Sequence, residues 1–109
     1  MAIDKIFIVT AAASFERQQI MKSRMESTMI PYEFYISGGI PLFEQCWDLI
    51  KENKENKQWL DHPNEFSVTA AHLNVIKIAK DRGYENVLIF EDDVILHQDF
   101  DINLARVLK

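Results

Sequence analysis

The 109-residue chain has a single cysteine, Cys46, so no internal disulfide can form. That usage fits a reducing compartment, with the thiol serving as a small buried apolar group. No apolar run approaches the about 20 residues needed to span a bilayer. The opening Met1-Ala2-Ile3-Asp4-Lys5-Ile6 is no signal peptide, because its apolar part is short and Asp4 interrupts it. Positive charge is scarce: 12 Lys and Arg stand against 17 Asp and Glu, a formal net charge of −5. This balance excludes a surface built to track a nucleic-acid backbone. It leaves room for a nucleotide whose phosphates are neutralised by a metal. Glycine is rare too, at three residues, and the Gly38-Gly39 pair lacks the spacing of a dinucleotide fingerprint. There is no Walker-type phosphate loop, no Cys/His zinc pattern and no G-x-S-x-G nucleophile elbow. A cytoplasmic protein without a transmembrane segment is the default.

What is present describes one small globular domain. Hydrophobic residues make up 48% and charged residues 27%, enough for a single core and too apolar for disorder. Ile3 to Val9 reads as a buried strand. After the small side chains Thr10-Ala11-Ala12-Ala13, Ser14 reads as the N-cap of a helix running to about Met29, and Pro31 cannot continue it. Tyr32 to Ile36 is a second strand, closing a βαβ unit that should be parallel and right-handed. Leu42 to Ile50 has the pattern of a helix opened by Pro41. The polar run Lys51 to Lys57 is a solvated helix end or loop. Asn64 or Ser67 is placed to cap a long helix to about Arg82, with Phe66, Ala70, Leu73, Ile76 and Ala79 as its apolar stripe and Gly83 as its terminator. Asn86 to Phe90 reads as a third strand, buried on both faces. Asp99 or Asp101 is placed to cap a last helix through Leu108.

The third strand ends in Glu91-Asp92-Asp93. Three carboxylates at the carboxyl end of a buried strand are costly near a core unless a cation compensates them. Hard divalent cations prefer such oxygens, and open α/β sheets bind ligands beyond the carboxyl ends of their strands. Strand alternation, if it persists, puts Glu91 and Asp93 on one face and Asp92 on the other. The first pair then suits Mg²⁺ or Mn²⁺, and Asp92 suits a ribose hydroxyl or an anchoring bond. A turn or helix cap is the bland alternative. Arg17, in the first turn after strand one, faces the same sheet edge, where a guanidinium can pair with pyrophosphate; a solvated helix residue is the alternative. His72 lies on the long helix and is either a ligand group or a half-buried histidine bonded to a carbonyl. His62 reads as surface, and His97 as a lesser candidate near the carboxylates.

Three blocks resemble glycosyltransferase family 25, of the lipopolysaccharide-biosynthesis β-galactosyltransferase type. The first is Ile6-Phe7-Ile8-Val9, then Phe15-Glu16-Arg17, a helix, and Ile30-Pro31-Tyr32-Glu33-Phe34. The second is Glu65 through His72-Leu73, similar to the family's Glu-x-Gly-Cys-x-x-Ser-His-Leu helix start. The third, and most specific, is Tyr84 through Val94. Ser67 stands where the family usually has glycine, Ala71 where it usually has serine, and the first loop lacks the family's polar run. The resemblance implies a Rossmann-like, three-layer α/β fold with a mainly parallel sheet, the N-terminal half of a GT-A-type enzyme. It implies a UDP-sugar donor, transfer of a hexose (galactose first) to a glycan or lipopolysaccharide acceptor, and Mn²⁺ or Mg²⁺ on the donor pyrophosphate. Carried over by position, Glu91 and Asp93 fall on the metal, and Arg17, His72 and Asp92 on the substrate.

Such enzymes continue well past the acidic motif, so residues 1–109 are expected to be one truncated nucleotide-sugar-binding domain or a short relative. A degenerate binding or regulatory module of the same fold is the competing expectation. A receiver-like domain fits badly, because receivers carry their acidic pair after the first strand. An open sheet edge would allow a homodimer, and the family's role would place the protein at the inner face of the membrane.

Overall fold

In the computed structural model, which describes residues 2–38, 44–52 and 63–108, the β-branched and aromatic run near the start forms strand β1, Lys5–Ala11. Helix α1 (Phe15–Met25) and strand β2 (Tyr32–Ser37) follow. A short helix α2 (Trp47–Glu52) precedes the long helix α3 (Pro63–Asp81), strand β3 (Val87–Glu91) and helix α4 (Phe100–Val107). The strands pair in the order β2-β1-β3, and both pairings are parallel. The expected Rossmann-like α/β architecture is therefore present. Pro41, Leu42, His62, Gly39 and the run from 53 to 57 lie outside the described residues. Among the described residues, no helix is long and apolar enough to cross a membrane.

Alternation along β1 sorts the core into two halves. Phe7 and Val9 point to one side and are buried with Ala71, Val75 and Ala79 of α3. Ile6 and Ile8 point to the other, against Met21 and Met25 of α1, with Phe34, Leu88, Phe90 and Phe100 packed around them. The sheet is thus covered by α3 on one face and by α1 and α4 on the other. Glycine is required at one turn: Gly83 has φ of +77°. There Tyr84 N–H reaches the Ala79 carbonyl and Gly83 N–H the Lys80 carbonyl, both at 3.0 Å, the double closure of a Schellman end.

Several sequence expectations need correction. Of the expected stripe of α3, Ala79 is buried, but Leu73 and Ile76 are exposed, and Ser67, Ala71 and Val75 complete the buried row. Small side chains let the helix lie close to the sheet, so the bulkier row turns outward. Helix α3 begins at Pro63, so Asn64 and Ser67 lie inside it and do not precede it. Helix α1 stops at Met25, short of Met29. There Ser27 bonds back to the Arg24 carbonyl, and Asp101 captures the Thr28 hydroxyl and the Met29 N–H, 2.5 and 2.9 Å away, so side chains replace the helical ladder. Ser14 and Asp99 occupy N-cap positions without side-chain cap bonds. The Asp99 N–H instead donates to His97 Nδ1 at 3.1 Å. Strand β3 faces both layers, yet Val87 to Phe90 are only half-buried, because in the described sheet β3 has a neighbour on one side only.

Candidate functional site

The order β2-β1-β3 means that the chain leaves β1 in one direction and returns to its other side over the opposite face. Between β1 and β3 the connections diverge, and such a switch point opens a crevice at the carboxyl ends of the strands. A cavity of about 370 Å³ lies at this edge. Val9, Thr10 and Ala11 of β1, Ser14 and Arg17 around the start of α1, and Ser67 and Val68 of α3 form its wall, with Glu91 at the end of β3 and Asp92 and Asp93 beyond it. Helix α3 runs against the strands, so its early residues reach this edge.

The register explains the centre of the site. Val9 pairs with Glu91, so the next residues, Thr10 and Asp92, emerge side by side. The Thr10 hydroxyl donates to Asp92 Oδ2 at 2.7 Å, and Arg17 Nη1 donates to Asp92 Oδ1 at 3.3 Å. Thr10 is buried, whereas the Arg17 side chain is 63% exposed. Of the two roles open to Asp92 from sequence, its contacts here are those of an anchor. Strand β3 ends at Glu91 and a turn begins at Asp92, so alternation does not extend through the triplet. Glu91 and Asp93 are exposed on the cavity rim, and neither forms an ion pair among the described residues. No three His, Cys, Asp or Glu side chains converge as a cation cage among the described residues. Two open carboxylates fit a cation that keeps water and phosphate oxygens as its other ligands.

The family model of glycosyltransferase family 25, an LPS biosynthesis protein, matches residues 3–109. The chain belongs to glycosyltransferase family 25. No curated protein and no solved structure matches it. The three sequence blocks of this family-25 protein map onto β1 with the start of α1 and β2, onto α3, and onto β3 with its acidic turn. Every block sends residues to the one cavity.

Of the residues singled out from sequence, Arg17, Glu91, Asp92 and Asp93 meet there. His72 does not line the cavity. It sits one helical turn beyond Val68, half-buried, and its Nε2 is enclosed without a hydrogen-bond partner among the described residues. His97 is exposed and serves the start of α4. Sequence reasoning missed Thr10, Ser37, Ser67 and Val68 as wall residues. For Thr10 the signal was its hydroxyl, alone in a run of alanines at the end of a buried strand.

Proposed function

We propose that this chain carries the donor site of a glycosyltransferase that moves a hexose, galactose first, from a UDP-sugar to a glycan or lipopolysaccharide acceptor. The observation that carries the reading is the switch-point cavity, where the acidic turn and Arg17 face one space. Arg17 already pairs with Asp92, so Glu91 and Asp93 leave the rim net negative. A nucleoside diphosphate is repelled by such a rim unless a cation offsets it. Glu91 and Asp93 would hold Mn²⁺ or Mg²⁺, which supplies positive charge to the departing diphosphate. Arg17, long and solvent-facing, swings from Asp92 to a phosphate oxygen and pairs with it. Asp92, fixed on Thr10, keeps lone pairs for a ribose hydroxyl. Small side chains at Ala11, Ser14 and Ser37 leave the space open.

The test is calorimetric titration of UDP with and without Mn²⁺, beside Asp93→Ala. Binding that needs the metal and weakens at least about tenfold in the variant supports the donor site. No heat at millimolar UDP with Mn²⁺ removes it. The second reading, a binding module without transfer, is favoured by the position of His72 outside the cavity wall. Hydrolysis of UDP-galactose by a chain that binds UDP decides against that module. The donor reading also places the protein in the cytoplasm at the inner membrane face, and light scattering checks pairing of two copies along an open sheet edge.

A further inference from the structure

We propose that Thr10 is the positioning residue of this site: its hydroxyl locks the Asp92 carboxylate and thereby preforms the turn that presents Glu91 and Asp93. The functional half of this inference rests on the donor-site reading; the structural half does not. The β1–β3 ladder ends with Val9 opposite Glu91. Past that pair, the turn is tied to the rest of the molecule by the Thr10–Asp92 bond, by Arg17, and at its exit by Arg24, which donates to the Val94 carbonyl at 3.1 Å.

The ties to Asp92 differ in kind. Thr10 is 3% exposed, and the Asp92 side chain 11%, so their 2.7 Å bond is shielded from competing water. A β-branched side chain within a strand has few χ1 choices, so the hydroxyl direction is set by the backbone. The Arg17 contact is longer and its side chain lies in solvent, so it exchanges readily for another anion. A site needs one fixed member and one that can leave: Thr10 holds the carboxylate while Arg17 turns to a ligand. Without Thr10, Asp92 would follow the guanidinium and the rim would lose its geometry before any ligand arrived.

The experiment compares wild type with Thr10→Val, which keeps the shape and removes the hydroxyl, Thr10→Ser, which keeps the hydroxyl, and Arg17→Ala. Backbone ¹⁵N order parameters at Asp92 and Asp93 are measured without ligand. In Thr10→Val they fall from the rigid range near about 0.85 toward about 0.6, while Thr10→Ser and Arg17→Ala stay rigid. Affinity for Mn²⁺ with UDP falls about tenfold in Thr10→Val, as expected when a shielded acceptor loses its donor, and is restored in Thr10→Ser. A turn as rigid in Thr10→Val as in wild type overturns the inference. So does a Thr10→Ser protein as loose as Thr10→Val, since the methyl would then be the active part. If Thr10→Val does not fold, Asp92→Ala reads the same contact through the Asp93 amide, and an unchanged order parameter there overturns the inference equally. Wild type that fails to bind UDP, with a turn that still loosens in Thr10→Val, removes the donor reading and leaves the positioning role standing. Wild type that binds, with Thr10→Val binding equally well, removes the role of Thr10 in the site.

Discussion

Under the proposed donor-site reading, Arg17 separates ligand recognition from stability. Its ion pair with Asp92 spans 3.3 Å, with the guanidinium side well exposed. Exposed pairs of this kind contribute about 0–1 kcal/mol and are screened by salt. Arg17→Ala is therefore expected to change unfolding free energy in urea by no more than about 1 kcal/mol. Nucleotide affinity should fall, and its dependence on salt should become shallower, since one charge contact with phosphate is gone. Titrations at two ionic strengths check this. A variant that binds as tightly, with the same salt slope, places the guanidinium outside the phosphate site. His72 shows the opposite case. It is one residue past buried Ala71 and one before exposed Leu73, so its side chain falls at the boundary of the helix face.

Helix α3 explains both what the sequence tells and what it hides. It carries apolar or small residues on two rows, 66-70-73-76 and 67-71-75-79, each at helical spacing. Periodicity alone cannot choose between them. The structure buries the row with the smaller side chains, since a helix laid on β1 needs close approach more than bulk. Ser67 and Ala71, which the resemblance sets against glycine and serine, are both small enough to pack there. Ala71→Leu is accordingly expected to cost about 1–3 kcal/mol by overpacking, whereas Leu73→Ala stays within about 0.5 kcal/mol. Urea unfolding of the two variants measures the difference, and the reverse order would reinstate the outer row as the core.

Where local chemistry decides, the sequence was readable: the strands, Gly83 as terminator, the acidic turn and Arg17 all lie where residue type and spacing put them. Where a distant partner decides, it was not. The end of α1 is fixed by Asp101, 72 residues from Met29. The role of Thr10 is fixed by Asp92, 82 residues away. No window along the chain contains both members of either pair.

The two ends of the sheet divide the work of the whole protein. The carboxyl edge holds the cavity. The amino edge holds a latch in which Glu33 of β2 bonds Arg82, at the end of α3, and lies 3.5 Å from Lys5 of β1. Arg82 also sits 5.9 Å from the centre of the Phe7 ring. Asp4 adds to this edge by accepting the N–H groups of Glu85 and Asn86, 2.7 and 3.0 Å away. The hydrogen bond from Arg82 holds the Glu33 carboxyl below its usual value of 4.5, with the charges of Arg82 and Lys5 assisting and partial burial opposing. A carboxyl whose folded pKa is depressed binds its proton more readily in the unfolded chain. Its contribution is thus complete above about pH 4.5 and is lost as pH falls through the lower, folded value. Arg82→Met removes the main cause, so melting temperature should decline less steeply below pH 4.5 than in wild type. Near pH 7 the variant loses a partly exposed pair and the guanidinium over Phe7, but keeps an apolar stem against that ring. Its affinity for Mn²⁺ with UDP should match wild type, because the latch and the cavity lie at opposite ends of the strands. Asp93→Ala, at the other edge, should weaken that binding. Melting curves from pH 3 to 7, paired with titrations at pH 7, test both halves together. A single variant that moved both readouts equally would mean that the sheet transmits strain from edge to edge, against the division of labour argued from its geometry.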